Sequence, residues 1–176
     1  AFLLHRVALR RHRESLRKTE RNEMDFLANI HPVIVHFPIA FFVAYFLLET
    51  ASLATKKDSL CKMATVFLGA GVIFAVLAAL TGNQAHEALK PVLKMKQLVI
   101  DEAIESHEQF ATITLWYFFA MLLLRIYLLI KKNLSPNWKF SFFVLALLGM
   151  YFVYQTGILG GELVYDFGVG TKLFFK

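Results

Sequence analysis

The sequence has little charge and almost no cysteine, and each shortage excludes a class of protein. Only 18% of its 176 residues are charged while 57% are hydrophobic, which is too apolar for an ordinary soluble domain of this length. The single cysteine, Cys61, excludes a disulfide framework and any cysteine-based metal or cluster motif, so we expect a packed thiol. No nucleophile paired with a base, no phosphate loop and no hydrolase-type carboxylate pair is present, so an independent enzyme is not indicated.

Long apolar runs are abundant instead, and four of them are long enough to cross a bilayer. They predict an all-α membrane protein, a four-helix up-down bundle that occupies residues 30–171. Pro38 removes a backbone hydrogen bond inside the first run, so its helix should kink or start anew near His36. The expected spans are residues 31–55, 60–82, 107–130 and 138–158.

The connections between these runs are short except for one. Residues 83–106 form the longest connection, and Pro91 divides it. We expect a single short amphipathic helix there, at about residues 92–104. The lysines that flank the two short loops favour that face of the membrane as the inside, by the positive-inside rule.

The positive charge lies at the ends of the runs and in the N-terminal tail, residues 1–29. Such an arginine-rich tail is typical of an organellar targeting region or of a basic helix on the membrane surface, and a solvated tail that lies on a partner is the alternative. Residues 172–176 form a short C-terminal tail. We therefore expect the lipid bilayer and other membrane-complex subunits as partners, and no nucleic acid.

Alternate threading of four spans brings distant polar residues to one face of the membrane. Spans one and three start on this face and lie diagonally across an up-down bundle. A histidine within a span is a candidate functional residue, because ionisable groups are costly there. The residues gathered in this way are His31, His36, His86, His107 and Glu162.

The pattern below two of these histidines suits a flat cofactor. His36 heads a column that contains Ala40, and His107 heads one that contains Ala111, so little side-chain bulk follows either imidazole. Two neutral imidazoles on opposite helices are the axial ligands that haem iron takes. We therefore predict haem b, or a quinone-like ligand, at His36 and His107, with further cofactor contacts from Ala40, Gly71, Ala111 and Gly157.

Other interpretations of the same residues stay open. His31 and His86, together with His107, form an alternative shallow metal site, because imidazole suits zinc or copper. His31 alone could cap the first helix or reach the headgroups. A transporter is the least favoured class, because we find no internal repeat and no polar path through the spans.

Several further polar residues lie inside or beside the apolar runs. Glu49 and Arg125 approach the opposite face of the membrane, where we expect them to pair or to anchor the bundle. Gln155 and Thr156 precede the exit of the fourth span and are expected to bridge helices by hydrogen bonds.

The chain resembles the four-helix membrane family called domain of unknown function 2231. The first matching motif is His31-Pro-x-x-Val-His-Phe-Pro38, and the last is Thr156-Gly-x-x-Gly-Gly-Glu-Leu-Val-Tyr165 followed by Gly168-Val-Gly170. Less specific matches are the glycine-rich end of span two and His107-Glu108. The resemblance covers about residues 30–171.

This resemblance implies a bundle of the kind shared with b-type cytochromes. It implies an integral membrane subunit of a larger energy-converting complex, respiratory or photosynthetic, in the bacterial cytoplasmic membrane or the mitochondrial inner membrane. The family pattern often has a histidine where this chain has Ile158, so one polar partner of the site is missing here. The alternative is a structural accessory or assembly subunit with no cofactor.

Overall fold

The computed structural model describes residues 29–93, 98–131 and 135–170. Within these ranges all regular structure is helical, and every long helix is long and apolar enough to cross a membrane. The all-α, four-span architecture is therefore confirmed. The helices are a short segment at residues 29–34, α1 (His36–Thr55), α2 (Asp58–Leu93), α3 (Leu98–Ile130) and α4 (Pro136–Tyr165). The predicted tails at residues 1–28 and 172–176 lie outside the described residues.

The four long helices form a square in which each helix packs on two neighbours. α1 contacts α2 and α4, and α3 contacts the same two helices. Among the described residues the diagonal pairs, α1 with α3 and α2 with α4, do not approach each other at backbone distance. This is the predicted up-down arrangement, so the N-terminal ends of α1 and α3 lie at one end of the bundle, which we call the imidazole end. The other end is the short-loop end.

The prediction of a long loop between spans two and three is wrong, because helices occupy most of residues 83–106. α2 continues to Leu93, and α3 already begins at Leu98. At about 1.5 Å per residue, α2 with its 36 residues is roughly 54 Å long, which exceeds the roughly 30 Å hydrocarbon core. The hydropathy of the chain marks where a helix crosses lipid but not where the helix ends. A helix can continue into water as long as its apolar face packs against another helix.

That partner is a small second core at the imidazole end. It contains Leu89 from α2, Ile100 and Ile104 from α3, and Leu163 from α4. The chain after α4 turns back onto it at Gly168, whose φ of 69° favours glycine, and the Val169 N–H then donates to the Leu163 carbonyl at 2.8 Å. The Gly168-Val-Gly170 motif therefore closes this end of the bundle.

Two helix boundaries follow from single residues. The helical pattern is interrupted at Val35 and resumes at His36, as the missing N–H of Pro38 predicts. α1 ends where Lys56 adopts a left-handed conformation, with φ of 57°, and donates its N–H to the Ser52 carbonyl at 2.9 Å. Only Lys56 and Lys57 then connect α1 to α2.

Candidate functional site

Two imidazoles meet at the imidazole end of the bundle, and they belong to His31 and His107. His31 lies in the helical segment that precedes α1, and His107 lies in the N-terminal part of α3. Both rings are half-buried. The structure therefore places His31 at the same end of the bundle as the predicted His107.

Hydrogen bonds define which nitrogen of each ring carries the hydrogen. The Thr81 hydroxyl contacts the carbonyl oxygens of Leu77 and Ala78 at 3.0 and 3.1 Å, so it donates to the backbone and accepts from Nδ1 of His31 at 3.0 Å. Nδ1 of His107 donates to the Thr156 carbonyl, which can only accept, at 3.2 Å. In a neutral imidazole protonated at Nδ1, the lone pair lies on Nε2. Both rings therefore present a basic Nε2: the bonds to Thr81 and to the Thr156 carbonyl use Nδ1, and the Ala78 carbonyl is a further backbone acceptor for the His31 ring.

Each imidazole lies against a glycine of the neighbouring helix. A Cβ atom at Gly82 would lie 2.9 Å from Cε1 of His31, and one at Gly160 would lie 3.0 Å from Cε1 of His107. Real Cβ atoms rarely come this close to another heavy atom. The absence of a side chain at these two positions is therefore what lets the Cε1 edge of each ring approach α2 and α4.

A stacked aromatic pair occupies the core farther along the bundle. The rings of Phe42 on α1 and Phe118 on α3 are buried, parallel to within 8° and separated by 3.8 Å between centroids. Each ring again lies on a glycine, because a Cβ atom at Gly71 or at Gly149 would lie 2.5 Å from it. The buried side chains between this pair and the imidazoles are small: Pro38, Val72, Thr81, Thr114 and Val153.

These contacts reveal an internal repeat. His107 and Phe118 follow His31 and Phe42 by 76 positions, and they occupy the corresponding places on α3. The supporting glycines, at 71 and 82 on α2 and at 149 and 160 on α4, are related by 78 positions. The α1–α2 hairpin and the α3–α4 hairpin are therefore two copies of one motif around an approximate two-fold axis along the bundle. Our expectation that the spans contain no repeat is wrong, because the two halves share only a few contact residues.

The other residues predicted to bind a cofactor lie elsewhere. His36, Ala40 and Gly157 are exposed on the outer surface of the bundle. Gly71 supports Phe42 rather than a ligand, whereas Ala111 is half-buried one helical turn beyond His107. His36 follows His31 by five positions, which rotates the two side chains to different faces of the helix, so they cannot both face His107.

His86 forms a separate contact at the imidazole end. Its Nδ1 lies 2.8 Å from the Glu108 carboxylate, which joins α2 to α3. Among the described residues, no group of three or more His, Cys, Asp or Glu side chains could hold a metal ion. The alternative site of His31, His86 and His107 is therefore not formed. Glu162 is exposed on α4.

A buried ion pair lies toward the short-loop end. The Arg125 guanidinium on α3 donates to the Glu49 carboxylate on α1, and both side chains are almost completely buried. Arg125 also donates to the Thr65 hydroxyl at 2.8 Å and to the Cys61 carbonyl at 2.9 Å. The predicted pairing is confirmed, and the predicted packed thiol is buried beside the guanidinium, 3.1 Å from it.

Sequence reasoning identified some interhelical polar contacts and missed others. The predicted bridge from Thr156 is present, since its hydroxyl lies 2.9 Å from that of Thr114 on α3. Thr81 was missed, the glycines other than Gly149 were noted but not as supports for the rings, and Gln155 contacts Tyr151 of its own helix rather than another helix. A search for equal spacings would have found the glycines, because His to Phe and Gly to Gly are 11 positions apart in both halves.

The fold and these buried contacts define the class of protein: an integral membrane four-helix bundle with polar groups inside both ends. A family model described as predicted membrane protein (DUF2231) matches residues 27–173, and the chain belongs to that family. No curated protein and no solved structure matches the chain.

Proposed function

We propose that the chain is a membrane electron-transfer subunit of a larger energy-converting complex, and that His31 and His107 hold a b-type haem in it. The observation that carries this proposal is the pair of Nε2 lone pairs described above. An imidazole that ligates a metal donates its other ring N–H to a carbonyl or similar acceptor, which fixes the ring and raises its basicity. Both rings are in this condition, with Thr81 and the Thr156 carbonyl as the acceptors.

The number of ligands favours haem over a bare metal ion. A structural zinc site takes four protein ligands, and no suitable group of three is present among the described residues. Haem iron already has four porphyrin nitrogens, so two imidazoles complete its coordination. When bound, the haem would supply one-electron transfer. The chain would supply two imidazole nitrogens, from His31 and His107, their orientation and a core of small side chains beyond them.

The same hydrogen bonds argue against a quinone at this position. A quinone carbonyl needs hydrogen-bond donors, but the Nδ1–H groups of both histidines are already used within the protein. The two Nε2 atoms offer lone pairs, which suit a Lewis acid. The quinone-like ligand expected from the sequence is therefore the less favoured occupant.

The visible spectrum of the purified full chain tests this proposal. We expect a reduced-minus-oxidised spectrum of a low-spin b-type haem in the parent, and its loss in His31→Ala and in His107→Ala. His36→Ala and His86→Ala are matched controls that should keep the spectrum, because these residues lie outside the pair. A flat spectrum from well-folded parent protein prepared with haem available would refute the haem site.

A structural accessory subunit without a cofactor is the second candidate, and the histidine contacts favour it in one respect. The bonds of His31, His86 and His107 join the helices in sequence, from the segment before α1 to α2, from α2 to α3 and from α3 to α4, respectively. If this is their whole role, alanine at each position lowers the melting temperature while haem is absent from every variant. Melting curves recorded beside the spectra separate the two functions.

The membrane orientation is part of the proposal. Lys56, Lys57, Lys62, Lys131 and Lys139 flank the spans at the short-loop end, which supports that end as the inside. The imidazole pair would then face the outer compartment. Cysteine introduced at exposed Lys57 or Glu102 and labelled from one side of the membrane tests this arrangement, and labelling of Lys57→Cys from outside would reverse it.

A further inference from the structure

The two residues of the buried ion pair occupy corresponding positions in the two hairpins. Arg125 follows Glu49 by 76 positions, the same interval that separates the paired histidines and the stacked phenylalanines. The repeat therefore has a negative charge at this position in the first half and a positive charge in the second. The two halves have the same residue type at the level of Phe42 and Phe118, whereas they have opposite charges at the level of Glu49 and Arg125.

All the acceptors that surround Arg125 belong to the first hairpin. Its guanidinium donates to Glu49 on α1 and to Thr65 and Cys61 on α2. The corresponding positions of the second hairpin, 78 residues after those on α2, are Phe143 and Lys139. A second hairpin paired with another copy of itself would therefore place Arg125 beside a second Arg125, a lysine and a phenylalanine, and would leave the backbone carbonyl at position 139 as the acceptor in place of that of Cys61.

A pairing of two first hairpins would leave negative charges without a partner. Paired with a copy of itself, the first hairpin would bring two Glu49 carboxylates together in the core, with the thiol of Cys61 and the hydroxyl of Thr65 as their only polar neighbours from α2 among the described contacts. Two like charges in a region of low dielectric repel strongly, and a buried charge without a partner is costly. Neither like pairing satisfies its charged groups, whereas the pairing of unlike hairpins satisfies both.

We propose that the Glu49–Arg125 pair selects the partner of each hairpin, so that the first hairpin accepts the second and neither accepts its own kind. This role is separate from the proposed haem site at the other end of the bundle. It also fits the energetics of buried ion pairs, which often add little stability over apolar residues of similar size but can specify register and assembly. The two hairpins have the same contact residues elsewhere along the axis, so another feature must distinguish them. Without it, a hairpin could pair with the same hairpin of another chain, and the chains would join into open-ended assemblies.

The experiment removes both charges from the full chain at once. The variant Glu49→Leu/Arg125→Met keeps the volume and removes the charge difference between the halves. Phe42→Cys, introduced into the parent and into this variant, reports on like pairing, because position 42 lies at the axis and meets its own copy only when two first hairpins meet. The readouts are light scattering in detergent, disulfide cross-linking and the melting temperature.

The expected result is a double variant that melts no lower than the parent but forms larger species, with disulfide cross-links between the cysteines introduced at position 42 of two chains. A double variant that keeps the size of the parent and forms no such cross-link would overturn the proposal. So would a double variant with a clearly lower melting temperature, because the pair would then act as an ordinary stabilising contact.

A second pair provides the matched control. Asp58 on α2 and Lys139 on α4 also join the two hairpins at the short-loop end, 2.6 Å apart, but the aspartate is largely exposed. Asp58→Asn, which breaks this pair and leaves Lys139 in place, should leave the size and the cross-linking unchanged, because water solvates the exposed carboxylate in any pairing. Larger species in this control as well would show that loss of any ion pair causes association, and would overturn the selective role of Glu49 and Arg125.

Discussion

Alanine at Gly149 should destabilise the bundle, although alanine is the better helix former. The new Cβ atom would lie 2.5 and 2.9 Å from two atoms of the Phe118 ring and 3.1 Å from the Tyr117 ring. Phe118 is fully buried and stacked on Phe42, so its ring cannot move away without breaking that stack. Overpacking of a core typically costs about 1–3 kcal/mol, and the gain in helix propensity from Gly to Ala is about 1 kcal/mol.

The same helix contains a matched control at Gly157. A Cβ atom there meets nothing within 4 Å, so Gly157→Ala retains the propensity gain without the overpacking. We expect Gly149→Ala to be less stable than Gly157→Ala by about 1–3 kcal/mol, the overpacking term alone. Unfolding in detergent, followed by tryptophan fluorescence, measures both variants under identical conditions.

A third variant shows whether the Phe118 ring is the cause. Phe118→Leu combined with Gly149→Ala shortens the side chain that the new methyl group would strike, so it should recover part of the loss relative to Phe118→Leu alone. Equal stabilities for Gly149→Ala and Gly157→Ala would refute the reasoning, because the close approach of Phe118 to α4 would then have no energetic consequence.

Three further predictions concern one residue or a pair of residues each, and unfolding measurements check all of them. Lys56→Gly should raise stability by up to about 1 kcal/mol, because glycine adopts the left-handed conformation at the end of α1 without strain; an unchanged value would show that the strain is negligible. Thr114→Val and Thr156→Val should show a coupling of about 0.6 kcal/mol in a double-mutant cycle, as is typical of interhelical hydrogen bonds in membranes, and strict additivity would contradict the bond. Tyr45→Phe should be neutral or stabilising, because the buried hydroxyl has no hydrogen-bond partner among the described residues. Tyr117→Phe should lose about 1 kcal/mol, because its hydroxyl donates to a backbone carbonyl. A larger loss of stability for Tyr45→Phe than for Tyr117→Phe would refute this contrast.

The helices could be predicted largely from the sequence, but their lengths could not. The apolar runs located all four spans, and Pro38 located the restart of the first helix at His36. The extensions of α2 to Leu93 and of α3 back to Leu98 were missed, because residues such as Leu89 and Ile104 are apolar only at intervals. Such a pattern becomes a helix in water only when a second helix covers its apolar face.

The candidate site could be predicted only to the level of the membrane face. Threading gathered the histidines at one end, and the contacts of His31, His86 and His107 bear this out. Choosing His36 over His31 relied on its greater depth along the helix, but depth says nothing about the direction of a side chain. His36 lies on the exposed surface, and Gly82 is what admits His31.

The sequence by itself determined that the chain is helical, that it crosses a membrane four times and that its histidines share one end, because hydrophobic length and alternation of direction depend on composition and order alone. Only the tertiary structure decided which imidazoles meet, that two halves repeat, and that Glu49 meets Arg125 across the axis. These contacts depend on helix rotation and on small gaps at glycine, and both are fixed by packing between helices whose contacting residues lie far apart in the sequence.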